Sequence, residues 1–297
     1  MPTRTGSLGI LLVLVSAVLF GFMPIFARLA YPQGVSVGEM LLVRFLFGFL
    51  FIGAFLAFTR RLSLPSVRQV LVLVGLGAVT YFIQSTLYFT SLLYSPVAIA
   101  VLVLYTYPIF VAIGSFALGW EKISRRLTGV FIIALVGLVL VANPFVSPIG
   151  LGVIFAFGSA IMYAIYILSG SRLLRSVRVE VAVFYIMGGA SISFGLMAVL
   201  TGSIHLNWNF QGWFWVIDLA LVGTAAATLL FFGIARIGPS TASLISLGEP
   251  VTAVFASVVL FGNALSSSQW LGGILILAAT ALTTLYVNPE PRTWSLE

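Results

Sequence analysis

The strongest constraint in this sequence is a succession of long apolar runs with almost nothing charged inside them. They cover residues 7–30, 37–58, 69–93, 97–118, 127–142, 151–171, 179–201, 213–236, 240–261 and 269–287. A bilayer core about 30 Å thick needs about 20 helical residues per crossing, so each run reads as a membrane-spanning helix. Short polar or turn-rich breaks separate the runs, among them TRRLSLPSVR, GWEKISRR, GSIHLNWNFQG and RIGPS. Barrel strands would be about ten residues long with every second position polar, and that pattern is missing. The expected fold is an all-α integral membrane protein of ten transmembrane helices. Composition closes the soluble alternative. Of 297 residues 61% are hydrophobic and only 7% charged, against about 25% charged in a soluble domain.

The few charges order the helices. If the runs alternate in direction, Arg4, Arg60, Arg61, Arg68, Lys122, Arg125, Arg126, Arg172, Arg175, Arg178, Arg236 and Arg292 all fall on one side. Only Arg28 and the buried Arg44 fall on the other. Cationic loops stay in the cytoplasm, which places both termini there. The net charge of +7 is therefore a topology signal and not a nucleic-acid footprint. Trp208, Trp213 and Trp215 are expected in an outer interfacial belt and Trp120 in an inner one. The first apolar run is too long for a signal peptide and lacks a small-residue cleavage site, so it reads as a retained helix.

Much chemistry is excluded at once. With no Cys and a single His there is no disulfide, thiolate nucleophile or zinc-finger ligand set. His205 lies in a polar stretch and reads as a loop residue. No HExxH, GxSxG or Walker motif is present, so a membrane-embedded enzyme or an ATP-driven pump finds no support. No metal, cofactor or catalytic residue is expected.

An offset of 143 residues makes the chain match itself. It carries GILLVLVSAVLF from Gly9 onto GVIFAFGSAIMY from Gly152, Pro96 onto Pro239, Gly119 onto Gly262 and Gly129 onto Gly272. Residues 1–143 and 144–288 then form two repeats of five helices, followed by a cytoplasmic tail at 289–297. Five is odd, so the second repeat must insert upside down relative to the first. Inverted repeats of this kind build many secondary transporters.

Candidate functional residues follow from cost. A charge at mid-membrane is expensive and faces a partner or a cavity. Glu249 lies about ten residues into the ninth run, followed by Pro250, whose ring should kink the helix and free the Ser246 carbonyl. Pro108 repeats the device in the fourth run and Pro24 stands in the first; paired irregularities of this kind point to a central site. Polar and aromatic residues recur on single helical faces: Tyr81, Gln84, Ser85 and Tyr88, then Ser159, Tyr163 and Tyr166, whose repeat mates are Ser16, Phe20 and Met23. Tyr105 and Tyr107 join them from the fourth run. A buried phenol wants a hydrogen-bond partner, so these faces should look inward, onto a pocket suited to an amphipathic or aromatic solute. The first, third, fourth, sixth, eighth and ninth helices are the expected wall. Arg44 has two readings, attraction of a carboxylate or a structural and gating pair with Glu39. Asp218 stands near the tryptophans, where interfacial and functional roles both fit. Gly129, Gly137, Gly272 and Gly273 permit close helix contact, within a protomer or in a dimer.

Two segments carry a family resemblance: SPVAIAVLVLYTYPIFVAIGSFALGWEKISRRLTGVFIIALVGLVLV and GPSTASLISLGEPVTAVFASVVLFGNALSSSQWLGGILILAATALTTL. Each resembles the end of an EamA-type repeat, and LLVRFLFG around Arg44 resembles that family's second helix. The chain is thus identified as a member of the drug/metabolite transporter superfamily, most similar to bacterial exporters of the YddG type. The resemblance implies a ten-helix exporter of hydrophobic metabolites, with a central cavity between its halves. The halves are unequal: Ala264 stands opposite Glu121, and Met187 opposite Arg44.

The expectation is a secondary transporter that exports amphipathic metabolites, amino acids including aromatic ones, by alternating access. Tyr81, Gln84, Ser85, Tyr88, Tyr105, Tyr107, Tyr163 and Tyr166 would bind substrate, with Glu249 meeting an amine or serving as a buried titrating group. Exporters of cationic drugs or nucleotide precursors are the alternative. A receptor is weakened by the short loops.

Overall fold

The computed structural model describes residues 4–60, 65–95, 97–120, 125–142, 150–174, 176–202, 205–261 and 266–286. Arg61, Pro96, Glu121, Lys122, Arg175, Gly262, Ala264, Arg292 and the tail at 289–297 lie outside the described residues. Among the described residues every regular element is helical. α1 (Arg4–Ala30) ends in a 3-10 turn (Tyr31–Gln33) and is followed by α2 (Val37–Phe58). The third apolar run is one rod made of α3 (Val67–Gly75), a π-helical turn (Leu76–Tyr81) and α4 (Phe82–Tyr94). The fourth run is α5 (Val97–Leu104) and α6 (Tyr107–Ala117), and the fifth is α7 (Arg125–Ala142). α8 (Leu151–Leu173), α9 (Val179–Thr201) and α10 (Phe210–Ile237) are long and unbroken. The ninth run is α11 (Pro239–Ile245) and α12 (Gly248–Phe261), and α13 (Ser267–Tyr286) is last.

Among the described residues six spans are long and apolar enough to cross a membrane: α1 with its turn, α2, the α3–α4 rod, α8, α9 and α10. The apolar stretches Tyr107–Ala117, Thr128–Leu140 and Trp270–Ala279 are shorter. Mid-helix side chains on the outer faces are apolar. Ile192 of α9 is 64% exposed and Phe255 of α12 is 63% exposed, a surface that lipid solvates and water does not.

The helices pack in pairs. α1 runs along α10 and α4 along α8; α2 pairs with α9 and α7 with α13. The ninth run lies on α1 and on α6, while α5 and α6 lie on α8. Small residues set these approaches. A Cβ on Gly77 would stand 1.9 Å from the Ile186 carbonyl oxygen, and one on Gly189 would stand 2.1 Å from that of Val74. The π turn and α9 therefore touch backbone to backbone, which only glycine permits. A Cβ on Gly137 would meet the Gly272 carbonyl oxygen at 2.8 Å, whereas Gly129 and Gly273 face nothing within 4 Å. The Gly137–Gly272 approach is a contact within the protomer.

Helix ends explain the breaks. Ser36 with Glu39 caps α2, and Ser66 with Gln69 caps α3, each as a reciprocal capping box. The prolines expected to kink helices do something different. Pro108 stands in the first turn of α6 and Pro250 in the first turn of α12, where an absent N–H costs nothing because that donor would be unpaired anyway. The helices are interrupted just before them, at Tyr105–Thr106 and at Ser246–Leu247. The Ser246 carbonyl is not free but accepts the Glu249 N–H at 2.9 Å. Pro24 lies inside α1, which continues through it.

Loops tie the two ends of the bundle. At one end Glu39 accepts the backbone N–H of His205 at 2.7 Å, and Gln33 accepts from the Asn209 amide at 2.7 Å. At the other end Gln69 Nε2 donates to Ser176 Oγ at 3.0 Å. The first of these ties draws its loop inward. Trp208 is consequently buried, packed on Trp213 at 4.9 Å between ring centroids, and not part of an exposed belt.

Candidate functional site

The interruptions converge on one cavity. A cavity of about 40 Å³ lies between α1, α2, the π turn with α4, the α5–α6 break, α8 and the start of α12. Of the residues expected to bind substrate, Tyr81, Gln84, Tyr88, Tyr105, Tyr107, Tyr163 and Glu249 line it. Phe20, Met23, Pro24, Phe89 and Leu104 complete the apolar part of the wall. α2 contributes through Arg44, while α10, expected in the wall, gives no lining residue. α10 lies behind it, where a Cβ on Gly223 would come within 3.2 Å of Arg44 Nε.

Arg44 is 3% exposed and donates from Nη2 to the Tyr81 hydroxyl at 3.0 Å. Its guanidinium carbon lies 4.8 Å from the Phe45 ring centroid and 5.7 Å from those of Tyr81 and Phe89. Its pairing with Glu39 does not form. Five positions on a helix put two side chains about 140° apart around the axis, and Glu39 is engaged by Ser36 and His205. Among the described residues no carboxylate reaches within ion-pair distance of Arg44; the one ion pair is Arg178 with Glu180. A guanidinium has five N–H donors in a fixed fork, and most of this fork faces the cavity and its ring walls.

Glu249 opens onto the same cavity from the first turn of α12. Its position sets the carboxyl group beside the unpaired N–H groups of that helix start. α1 comes close at this level: a Cβ on Gly21 would meet Thr252 Cβ at 2.6 Å and the Glu249 carbonyl oxygen at 2.9 Å. The Tyr105 hydroxyl is turned toward Glu249 but makes no hydrogen bond of standard geometry, and it is fully buried. Tyr88 lies within electrostatic reach of both Arg44 and Glu249.

The tyrosines form a continuous aromatic wall. Tyr105 approaches Tyr107 at 6.0 Å between centroids, Tyr107 meets Tyr163 edge-on at 4.6 Å, and Tyr163 stacks toward Tyr166 at 6.0 Å. Tyr166 stacks on Tyr81 at 4.4 Å and so backs the wall without lining the cavity. Two polar candidates are spent on packing. Gln84 Nε2 donates to Ser159 Oγ at 3.2 Å, Ser159 Oγ donates to the Gln84 carbonyl at 3.0 Å, and Ser85 donates to Gln84 Oε1 at 3.1 Å. Ser85 is buried away from the cavity. Leu104 is a lining residue with no sequence signal, because nothing marks one leucine of an apolar run as the last before a break.

Comparison with known proteins agrees with this architecture. The EamA-like transporter family matches the chain twice, over residues 7–143 and 150–285. An uncharacterized transporter of Archaeoglobus fulgidus is 29% identical over 69% of this chain and 73% of its own length. The transporter YwfM of Bacillus subtilis is 30% identical over 48% of this chain and 46% of its own. A homolog of solute carrier family 35 member B1 from Drosophila melanogaster is 29% identical over 34% of this chain and 32% of its own. One crystal structure superposes with a TM-score of 0.78 at 22% identity, covering 94% of this chain and 99% of that one, a likeness of fold. With both halves matched and relatives named as transporters, the chain belongs to the EamA-like transporter family and is a multi-pass membrane transporter.

Proposed function

We propose that the protein is a secondary transporter with ten membrane crossings in two inverted repeats of five. It exports amphipathic metabolites, amino acids with aromatic side chains among them, from a bacterial cytoplasm through the inner membrane, with both termini inside. The observation that carries this reading is an aromatic cavity flanked by two interrupted helices, in a bundle held by polar ties at each end.

The packing supports the repeat. Exchanging the halves turns the α1–α10 pair into α8–α4, and leaves α2–α9 and α7–α13 unchanged as pairs. The hydrogen bonds follow: Ser16 donates to the Ala226 carbonyl at 2.7 Å as Ser159 donates to that of Gln84. The serines are 143 residues apart and the acceptors 142. The π turn just before Gln84 holds the one extra residue in that rod.

The cavity size supports a closed state in the transport cycle. About 40 Å³ holds roughly three waters, whereas a site enclosing an organic ligand runs to about 300 Å³ or more. Substrate enters when the aromatic wall parts, and the Glu39–His205 and Gln69–Ser176 ties lie where each end would open. Each tie is made by the N3 residue of a capping box, and releasing one tie while keeping the other is alternating access. A second reading, export of amphipathic cations, is favoured by Glu249 among tyrosine faces.

Flux into proteoliposomes separates these readings. Saturable uptake of labelled phenylalanine, competed by unlabelled amino acids, is expected. Uptake of lipophilic cations alone would favour the second reading, and product formation without flux would overturn both.

A further inference from the structure

Two ionisable side chains of opposite kind face the cavity and do not pair with each other. Arg44 and Glu249 both line it, yet no ion pair within 4.0 Å joins them. Each is costly in this setting. A buried guanidinium with a single hydrogen-bond partner, and a carboxyl group beside an unpartnered phenol, persist in a membrane only where something else completes them. Both are hemmed in by neighbouring helices: a Cβ on Gly223 would come within 3.2 Å of Arg44 Nε, and one on Gly21 within 2.9 Å of the Glu249 carbonyl oxygen.

Resting on the transport reading above, we propose that the cavity is a two-pole site for a zwitterionic α-amino acid with a large apolar side chain, its carboxylate on Arg44 and Tyr81 and its ammonium on Glu249 and Tyr105. The geometry of donors and acceptors sets this polarity. Arg44 has a planar fork suited to a carboxylate, and Tyr81, which accepts from Arg44, keeps its own proton to donate. On the other side an ammonium brings three donors and no acceptor. Glu249 is an acceptor there, and the Tyr105 oxygen is buried with no hydrogen-bond partner. Tyr88 lines the same cavity within electrostatic reach of both groups. The remaining wall, with Phe20, Met23 and Leu104 on one part and Tyr163 on another, takes the apolar side chain. An anion or a cation alone leaves one pole uncompensated, so each is disfavoured by the residue that the other pole needs.

The test ranks three probes on the purified full-length protein: phenylalanine, phenylethylamine without the carboxylate, and 3-phenylpropanoate without the ammonium. Binding is read by thermal stabilisation in detergent, and transport by flux into proteoliposomes. Phenylalanine is expected to bind on the order of 30-fold tighter or more than either one-pole analogue, the scale of a lost buried charge contact. R44Q should erase the preference over phenylethylamine, and E249Q the preference over 3-phenylpropanoate. R44K should restore part of the first. If R44Q fails to fold, the ranking on the unaltered protein still decides. Equal binding of the three probes, or phenylalanine preference unchanged in both variants, overturns the two-pole site. Flux of one-pole compounds with no preference overturns it while leaving the transport reading intact, and no flux of any compound removes that reading instead.

Discussion

Arg44 shows how much one side chain decides. Its sequence neighbourhood offered Glu39 as a partner, but the helical turn sends the two to different faces, and the arginine reaches Tyr81 of the π turn instead. Removing that hydroxyl with Y81F deletes a hydrogen bond to a buried charge, a loss of about 1.5–3 kcal/mol. Lower thermal stability without substrate and weaker binding are both expected, measured by melting in detergent with and without phenylalanine. Glu39 belongs to another function. E39A removes the carboxylate half of the capping box, which accepts from Ser36, and the hold on His205, costing about 1 kcal/mol in stability, and should leave the ranking of substrates unchanged. The tyrosines were legible from their spacing because a phenol in hydrocarbon must face inward. The fate of Gln84 was not, since its amide and carbonyl are consumed by Ser159 and Ser85, and no spacing rule says which buried amide is left over.

At the scale of elements, prolines and glycines do separate jobs. The prolines looked like helix breakers placed mid-run, yet Pro108 and Pro250 stand in the first turn of new helices. P108A and P250A should therefore be tolerated within about 1 kcal/mol, since the interruptions rest on the Tyr105–Thr106 and Ser246–Leu247 turns. A melting temperature lower by ten degrees or more, roughly the effect of several kcal/mol, would mean that the prolines create the breaks. G77A and G189A behave oppositely. Each puts a methyl within about 2 Å of a backbone oxygen, which forces α9 from the π turn and should abolish monodisperse protein in size-exclusion chromatography. G129A, with nothing within 4 Å, is the neutral control. The apolar runs were legible because length and hydropathy report a bilayer directly. The π turn was invisible, because one extra residue in Leu76–Tyr81 alters neither composition nor length appreciably.

For the molecule as a whole, the proposed cycle is one cavity reached from alternate ends. The self-match at a constant offset announced two halves, and the pairing of α1 with α10 and α4 with α8 gives that match a spatial form. The ties at each end had no sequence signature, because they join residues far apart in the chain, such as Glu39 with His205 and Gln69 with Ser176. They offer a direct handle, since the protein contains no cysteine. Cysteine pairs at Gln33 with Asn209 and at Gln69 with Ser176 can be joined by a short thiol-specific crosslinker that a reductant cleaves. The decisive measurement is counterflow of labelled phenylalanine in proteoliposomes with either pair joined. Counterflow should stop with either end closed and return on reduction, while phenylalanine exchange in the uncrosslinked pairs continues. Undiminished counterflow with both ends joined would contradict passage through this cavity.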